Sequence, residues 1–442
     1  MMPHGRHRHM AEKIIVIGGG AAGLFATGRL REGGADVRLL EKKDRSALKV
    51  GITGKGRCNV TNDSDVRGLI ANIPTNPRFL YGAFSRFDPS DTRAFFEEHG
   101  VPLKVERGGR VFPVSDKASD IVRCLRSYAG RVELNSPVLA VEYHGERGSD
   151  ELGAQTDGIG GAAQSRCTRS FTVRTLGGSY DCDRVIIATG GASYPQTGSE
   201  GDGYAFARVL GHTVVPPRPS LVPLVVRERW CRELQGLSLR NTALKVKDRL
   251  RGDSAVYEDF GEMLFTHFGI SGPMVLSASS RLGAIEPGRY TVELDLKPAL
   301  DEKMLDIRLL SDFAKYSNRD MANALGDLLP RKLIPVVIRL SGIPEHKKIN
   351  TITREERQSL LGVLKHLTLT VEHARPIEEA IVTSGGVAVG EIDPRSMESR
   401  IVPGLYFAGE VIDVDAYTGG FNLQIAFSTA ALAADSILVS QC

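Results

Sequence analysis

The sequence predicts an α/β protein: a discontinuous Rossmann-like core interrupted by an inserted β domain with a small helical subdomain. Three observations lead there. The apolar run Lys13–Ile17 passes straight into a glycine-rich turn and then a helical pattern. A second buried-strand pattern, Arg184–Ile187, also ends in a glycine turn, and a third, near Leu405, precedes an apolar helix at the C-terminus. Residues 216–384, by contrast, run as strands and then helices. The core is therefore placed at 13–215 and 385–442, after a disordered tail at 1–12. The insert is placed at 216–384, with its β part near 216–300 and 368–384 and its helical part near 301–367.

Composition narrows the classes. A chain of 442 residues is too long for one ordinary hydrophobic core. With 42% apolar and 25% charged residues it has the make-up of a folded protein. A net charge of +3 with interspersed signs gives no basis for a nucleic-acid or membrane partner. No run of 18 apolar residues points to a spanning helix. The Arg/His-rich start, Met1–Met10, lacks the apolar stretch of a secretory signal, and His4, His7 and His9 are expected in the tail rather than on a metal. Six cysteines without a C-x-x-C pair suit a reducing cytoplasm and argue against a disulfide framework or zinc site. No metal site is expected.

The first strand and its turn carry the clearest chemistry. Gly18, Gly20 and Gly23 give G-x-G-x-x-G, with Ala22 inside it, followed by a helix over Leu24–Arg31 and a strand over Asp36–Leu40. Gly18 permits the tight turn, Gly20 the approach of a pyrophosphate, and Gly23 close packing of helix on strand. The helix start offers unpaired N–H groups and a positive dipole end. Glu41, eighteen residues past Gly23, is placed to accept hydrogen bonds from ribose hydroxyls, with Lys42 beside it.

Two later segments choose FAD over NAD. The β-rich stretches Val132–Tyr143 and Phe171–Asp183 suit a small meander leading back into the sheet, with Val138 among the candidate cofactor contacts. The strand after them turns at Ala188, Thr189 and Gly190. Gly409 and Glu410 then end another strand, with Asp413 close behind and Asp415 competing for its role at the ribityl–pyrophosphate region. Gly419-Gly420 opens the last helix, aiming backbone N–H groups at the flavin pyrimidine end, with Asn422, Leu423 and Gln424 in its first turn.

Together with Gly54-Lys-Gly-Arg-Cys-Asn-Val-Thr-Asn62, Gly109–Pro113, Ala188–Pro195 and Gly261–Pro273, these motifs resemble the bacterial BaiN-like flavoproteins, a family that includes aminoacetone oxidase-like enzymes. The match covers nearly all of the chain after the tail. It implies an FAD-binding core with an inserted substrate domain. Lys55 stands where the family's loop favours a glycine or small residue.

The remaining candidates divide by chemistry. In the Gly54–Asn59 loop, Arg57 is placed to neutralise pyrophosphate and Asn59 to reach FAD. Cys58, without a partner cysteine, is expected to pack beside the cofactor. His267 lies in a glycine-bounded loop of the insert and is the candidate proton carrier at the flavin, with a hydrogen-bonded domain-interface role as the alternative. Tyr194, Tyr417 and Glu262 are expected to line the pocket, and Trp230 to pack. Residues 144–170 suggest a flexible loop, Val215–Ser220 a boundary, and Pro330, Pro335 and Pro344 helix breaks. The expected activity is cytoplasmic hydride transfer through the N5 of non-covalent FAD, to or from a small organic substrate. With no second G-x-G-x-x-G, two routes stay open: NAD(P)H enters the substrate cleft as a transient co-substrate, or the substrate reduces the flavin and oxygen reoxidises it. An amine oxidase making hydrogen peroxide is the alternative; an RNA-modifying or non-catalytic FAD-binding protein fits less well. Oligomeric state stays open.

Overall fold

A computed structural model describes residues 12–147 and 168–441. It divides into two compact units, one running through Arg218 and resuming at Val382, the other Pro219–Ile381.

The first unit is built on a four-stranded parallel sheet in the order Leu405–Phe407, Arg184–Ile187, Lys13–Ile17, Asp36–Leu40. Ile14 and Val16 sit at its centre, fully enclosed, as a strand covered on both faces requires. Register is set by Ile14 facing Val37 on one side and Arg184 on the other. Helix Ala21–Glu32 and the C-terminal helix Phe421–Gln441 pack against each other over the sheet. By length and hydropathy the latter is sufficient to cross a membrane. Here its Phe427, Ala430, Ala433 and Ile437 lie wholly inside the core.

A meander of Val138–Arg147, Thr168–Thr175 and Gly178–Cys182 forms a separate antiparallel sheet. The loop expected at 144–170 is therefore shorter, because its ends pair as strand. Its remainder, 148–167, and the tail before Glu12 lie outside the described residues. The proline-rich segment is likewise strand rather than linker: Val214–Ser220 pairs with Val382–Val387 in a two-stranded sheet. Proline lacks an N–H, and such an edge position tolerates that loss. The unit limits accordingly fall three residues inside the expected ones at each end.

The second unit is a closed six-stranded barrel in the order Leu224–Val226, Gly269–Ser271, Ser254–Phe265, Ser238–Asp248, Tyr290–Asp295, Leu367–Ala374. Helices Glu302–Lys315, Ile334–Ser341 and Arg354–Lys365 belong to the same hydrophobic cluster as the barrel interior. Pro335 does not break a helix. It occupies the first turn of Ile334–Ser341, where its missing N–H has no intrahelical partner to lose.

Candidate cofactor site

The site begins where three strands of the parallel sheet end. Gly18 donates its N–H to Leu40 O at 2.8 Å and adopts φ +104°, and a Cβ there would stand 2.6 Å from Ala188 O. Gly23 is tighter still, since a Cβ would fall 1.8 Å from Gly18 O. Gly20 is the opposite: nothing lies within 4 Å of where its Cβ would stand. Helix Ala21–Glu32 carries no side-chain cap, and its first intrahelical bond is Leu24 N–H to Gly20 O. The N–H groups of Ala21, Ala22 and Gly23 thus have no intrahelical acceptor, the arrangement that a phosphate at a helix start uses.

Glu41 is buried at the end of the neighbouring strand. Its carboxylate accepts Gly19 N–H at 2.7 Å and Lys43 N–H at 2.8 Å, which fixes it against the glycine turn and leaves lone pairs for ribose hydroxyls. Lys42 turns away, with its ammonium on Asp202 at 2.6 Å and Glu200 at 3.0 Å. The Ser46 hydroxyl, buried beside Gly19, has no hydrogen-bond partner among the described residues, and neither has that of Thr189. Orphaned buried hydroxyls next to an uncapped helix start are what a polar ligand here would satisfy.

The C-terminal segment closes on the same place. Gly409, at φ +76°, brings the last strand against the glycine helix, its Cβ position 3.0 Å from the Ala22 methyl. Glu410 is held by three groups: Lys49 Nζ at 2.7 Å, Thr383 N–H at 2.9 Å and Ser193 Oγ at 3.1 Å. Lys49 also donates to Ser193 at 2.7 Å. Lys49 and Thr383 were not legible as site residues, because they come from separate segments and match no spacing. Gly190, at φ +75°, turns the chain beside Ser199. Asp413 is buried, accepts two bonds from Asn76, and burial raises its carboxyl above the ordinary range. Gly420, at φ +99°, lies against the Thr61 carbonyl, where a Cβ would come within 2.2 Å.

Several predicted residues already have partners within the chain. The Arg57 guanidinium pairs with Glu106 and Asp116 and stacks 4.1 Å over Phe112, so its charge is already balanced. Asn59 accepts Val111 N–H at 3.0 Å. Cys58 is fully buried, and burial pushes its thiol up to about 12. Val138 heads the meander and packs against the core, as Leu423 does. Asn422 bridges the Ala416 backbone at 3.0 and 2.8 Å. Gln424, fully buried, is shared among Thr61, Thr92, Phe87 O and Ser428. His267 belongs to the barrel unit. It is exposed in the turn joining Ser254–Phe265 to Gly269–Ser271, in edge contact with Phe268. Among the described residues no group of three His, Cys, Asp or Glu is arranged to hold a metal.

A parallel sheet with this glycine turn, uncapped helix and second-strand acid defines a Rossmann-type dinucleotide-binding protein. The chain belongs to the family described as HI0933-like protein Rossmann domain, whose model matches residues 12–436, and it is an FAD-dependent oxidoreductase. It is 32% identical to a 3-dehydro-bile acid delta(4,6)-reductase of Clostridium scindens, over 95% of this chain and 98% of that one. It is also 32% identical to ribosomal RNA dihydrouridine synthases of Escherichia coli and Haemophilus influenzae, over 97% and 96% of this chain and 98% of each of theirs.

Proposed function

We propose that this protein is a reductase that saturates a carbon–carbon double bond conjugated to a carbonyl, with electrons from NAD(P)H. The observation that carries this is the coincidence of an FAD cradle with relatives whose named reactions, on unrelated substrates, share one bond change. A delta(4,6)-reductase and a dihydrouridine synthase both add two hydrogens across a carbon–carbon double bond. Per bond saturated, NAD(P)H and a proton are consumed and NAD(P)+ is released.

Bound FAD would supply hydride transfer at its N5. The chain's own residues supply position and charge. The N–H groups at the head of helix Ala21–Glu32 hold the pyrophosphate, Glu41 the adenosine ribose, and Ser46 a further polar contact. Gly409 and Gly420 let the last segment close on Ala22 and Thr61, while Lys49 fixes the Glu410 carboxylate at the end of the last strand. All four described free cysteines are buried, so none offers a thiolate relay. A single glycine-rich nucleotide turn suits an electron donor that binds transiently.

Anaerobic mixing of the yellow protein with NADH and with NADPH tests the reading directly. Rapid bleaching by one of them, followed by recolouring on addition of a conjugated enone or a uridine-containing RNA, is expected. If neither nucleotide bleaches the flavin, the NAD(P)H-linked reading fails. Amines, with peroxide as the readout, are then the substrates to try.

A further inference from the structure

The barrel unit holds a cavity of about 580 Å³ that the chemistry above leaves unused. Its wall is formed by Arg227, Arg229, Arg232 and Arg375, with His267 beside them and Val225 and Phe268 giving an apolar side. Three of these arginines fall within six residues of sequence, on the short helical turn Arg229–Leu234 and the residues leading into it. Their partners differ. Arg227 is paired with Glu372 at 2.7 Å. Arg375 is paired with Glu379 and lies 4.7 Å over the Phe268 ring. Arg229 and Arg232 have no carboxylate partner among the described residues, and both are exposed at the mouth. Glu228, the one acid in the wall, accepts the Thr370 N–H at 2.8 Å.

Two unpaired guanidinium forks over a partly apolar cavity suit a planar group joined to an anion. The volume falls within the ordinary range for organic-ligand pockets, well beyond what a bare phosphate fills. We infer that this cavity binds a nucleoside phosphate, with Arg229 and Arg232 on the phosphate and the Val225–Phe268 side against the nucleoside. Such a group occurs both in the adenosine bisphosphate end of NADPH and in an RNA chain. The inference deepens the reductase reading by naming where its donor or substrate is gripped, and it needs no turnover to be tested.

Trp230, the single tryptophan of the chain, stands between the first arginines and the core, half-buried with its ring 6.1 Å from Phe265. It is not a wall residue but adjoins Arg229 in the chain, so its emission follows the segment that carries the arginines, and calorimetry reads binding independently of it. The flavin-loaded protein is titrated with adenosine 2′,5′-bisphosphate, a short oligouridylate and inorganic phosphate, by tryptophan fluorescence and calorimetry in parallel. The same titrations are run on an Arg229→Ala/Arg232→Ala variant whose flavin content and circular dichroism match wild type. Saturable binding of the bisphosphate, weakened about tenfold or more in the variant, is expected for a dinucleotide grip. The same pattern with the oligouridylate alone assigns the cavity to RNA. Binding of no nucleotide, binding that the variant leaves intact, or binding of phosphate with no gain from a nucleoside each overturns the inference. Bleaching by NAD(P)H that persists through such a failure leaves the reductase reading standing.

Discussion

Gly20 and Gly23 are three residues apart, and substitution at each is expected to fail for a different reason. At Gly23 a methyl would collide with the Gly18 carbonyl at 1.8 Å, so Gly23→Ala must displace helix from strand. Overpacking of that kind costs about 1–3 kcal/mol, which should appear as a lowered melting temperature together with lost flavin. At Gly20 the space is open, so Gly20→Leu should melt like flavin-free wild type yet release no flavin on acid precipitation. Full flavin content in that variant would sink the phosphate-cleft assignment. Lys55 gives a third case. Its backbone is left-handed at φ +58°, between Gly54 and the equally left-handed Cys58. Lys55→Gly should raise stability by about 0.5–1 kcal/mol, read from a urea midpoint, because only glycine adopts this region without a Cβ penalty. Local geometry carried by neighbours in sequence was legible: Gly18, Gly20 and Gly23 form one strand-to-helix turn, and Glu41 ends the next strand against it. Arg57 and Gln424 were singled out by motif, but their partners, Glu106 and Thr61, are 49 and 363 residues away. No local pattern shows that a charge or amide is already taken.

Elements were legible where the apolar pattern was continuous, as in Lys13–Ile17, Arg184–Ile187 and the last helix. They were obscured where prolines dominate. Val214–Ser220 carries three prolines and still pairs, because an edge strand needs few of its N–H groups, and Pro335 starts a helix instead of ending one. The link between helix Asp202–Val209 and the edge of the parallel sheet carries a titration. His212, just past that helix, is buried with Nε2 on Ser399 Oγ at 2.8 Å and its ring edge-on to Phe407. Burial lowers its proton affinity below the ordinary 6.5, against the opposing pull of Glu391 and the Ala207 carbonyl. The unfolded chain then takes up the proton first. Stability from the neutral ring is present above about pH 6.5 and is lost as pH falls through the folded value. His212→Gln should flatten this acid limb in urea titrations on either side of that pH; an unchanged slope would assign the limb to other groups. Asp413 works the other way. Its raised carboxyl contributes stability at low pH that disappears as pH rises through the folded value, so only the difference between variant and parent isolates His212.

For the molecule as a whole, the four cysteines among the described residues are all buried, three in the first unit and one in the second. Burial pushes Cys58, Cys182 and Cys231 up to about 12 and Cys124 up to about 11, leaving almost no thiolate near neutrality. Alkylation of the native protein followed by peptide mapping should find these four unlabelled, with labelling only after denaturation. Rapid native labelling of Cys58 would contradict its packed position and revive a redox role.

The parallel sheet also imposes an order of assembly. Strand Arg184–Ile187 pairs on one side with Lys13–Ile17 and on the other with Leu405–Phe407, a partner synthesised more than two hundred residues later. The second unit, Pro219–Ile381, lies wholly within that interval and closes its barrel from its own strands. A growing chain therefore has the barrel available to fold while the nucleotide sheet still waits for its outer strand and its covering helix. Ribosome-stalled chains ending before Leu405 should be protease-resistant over the barrel yet colourless, because the cradle gains Gly409 and Gly420 only with the final segment.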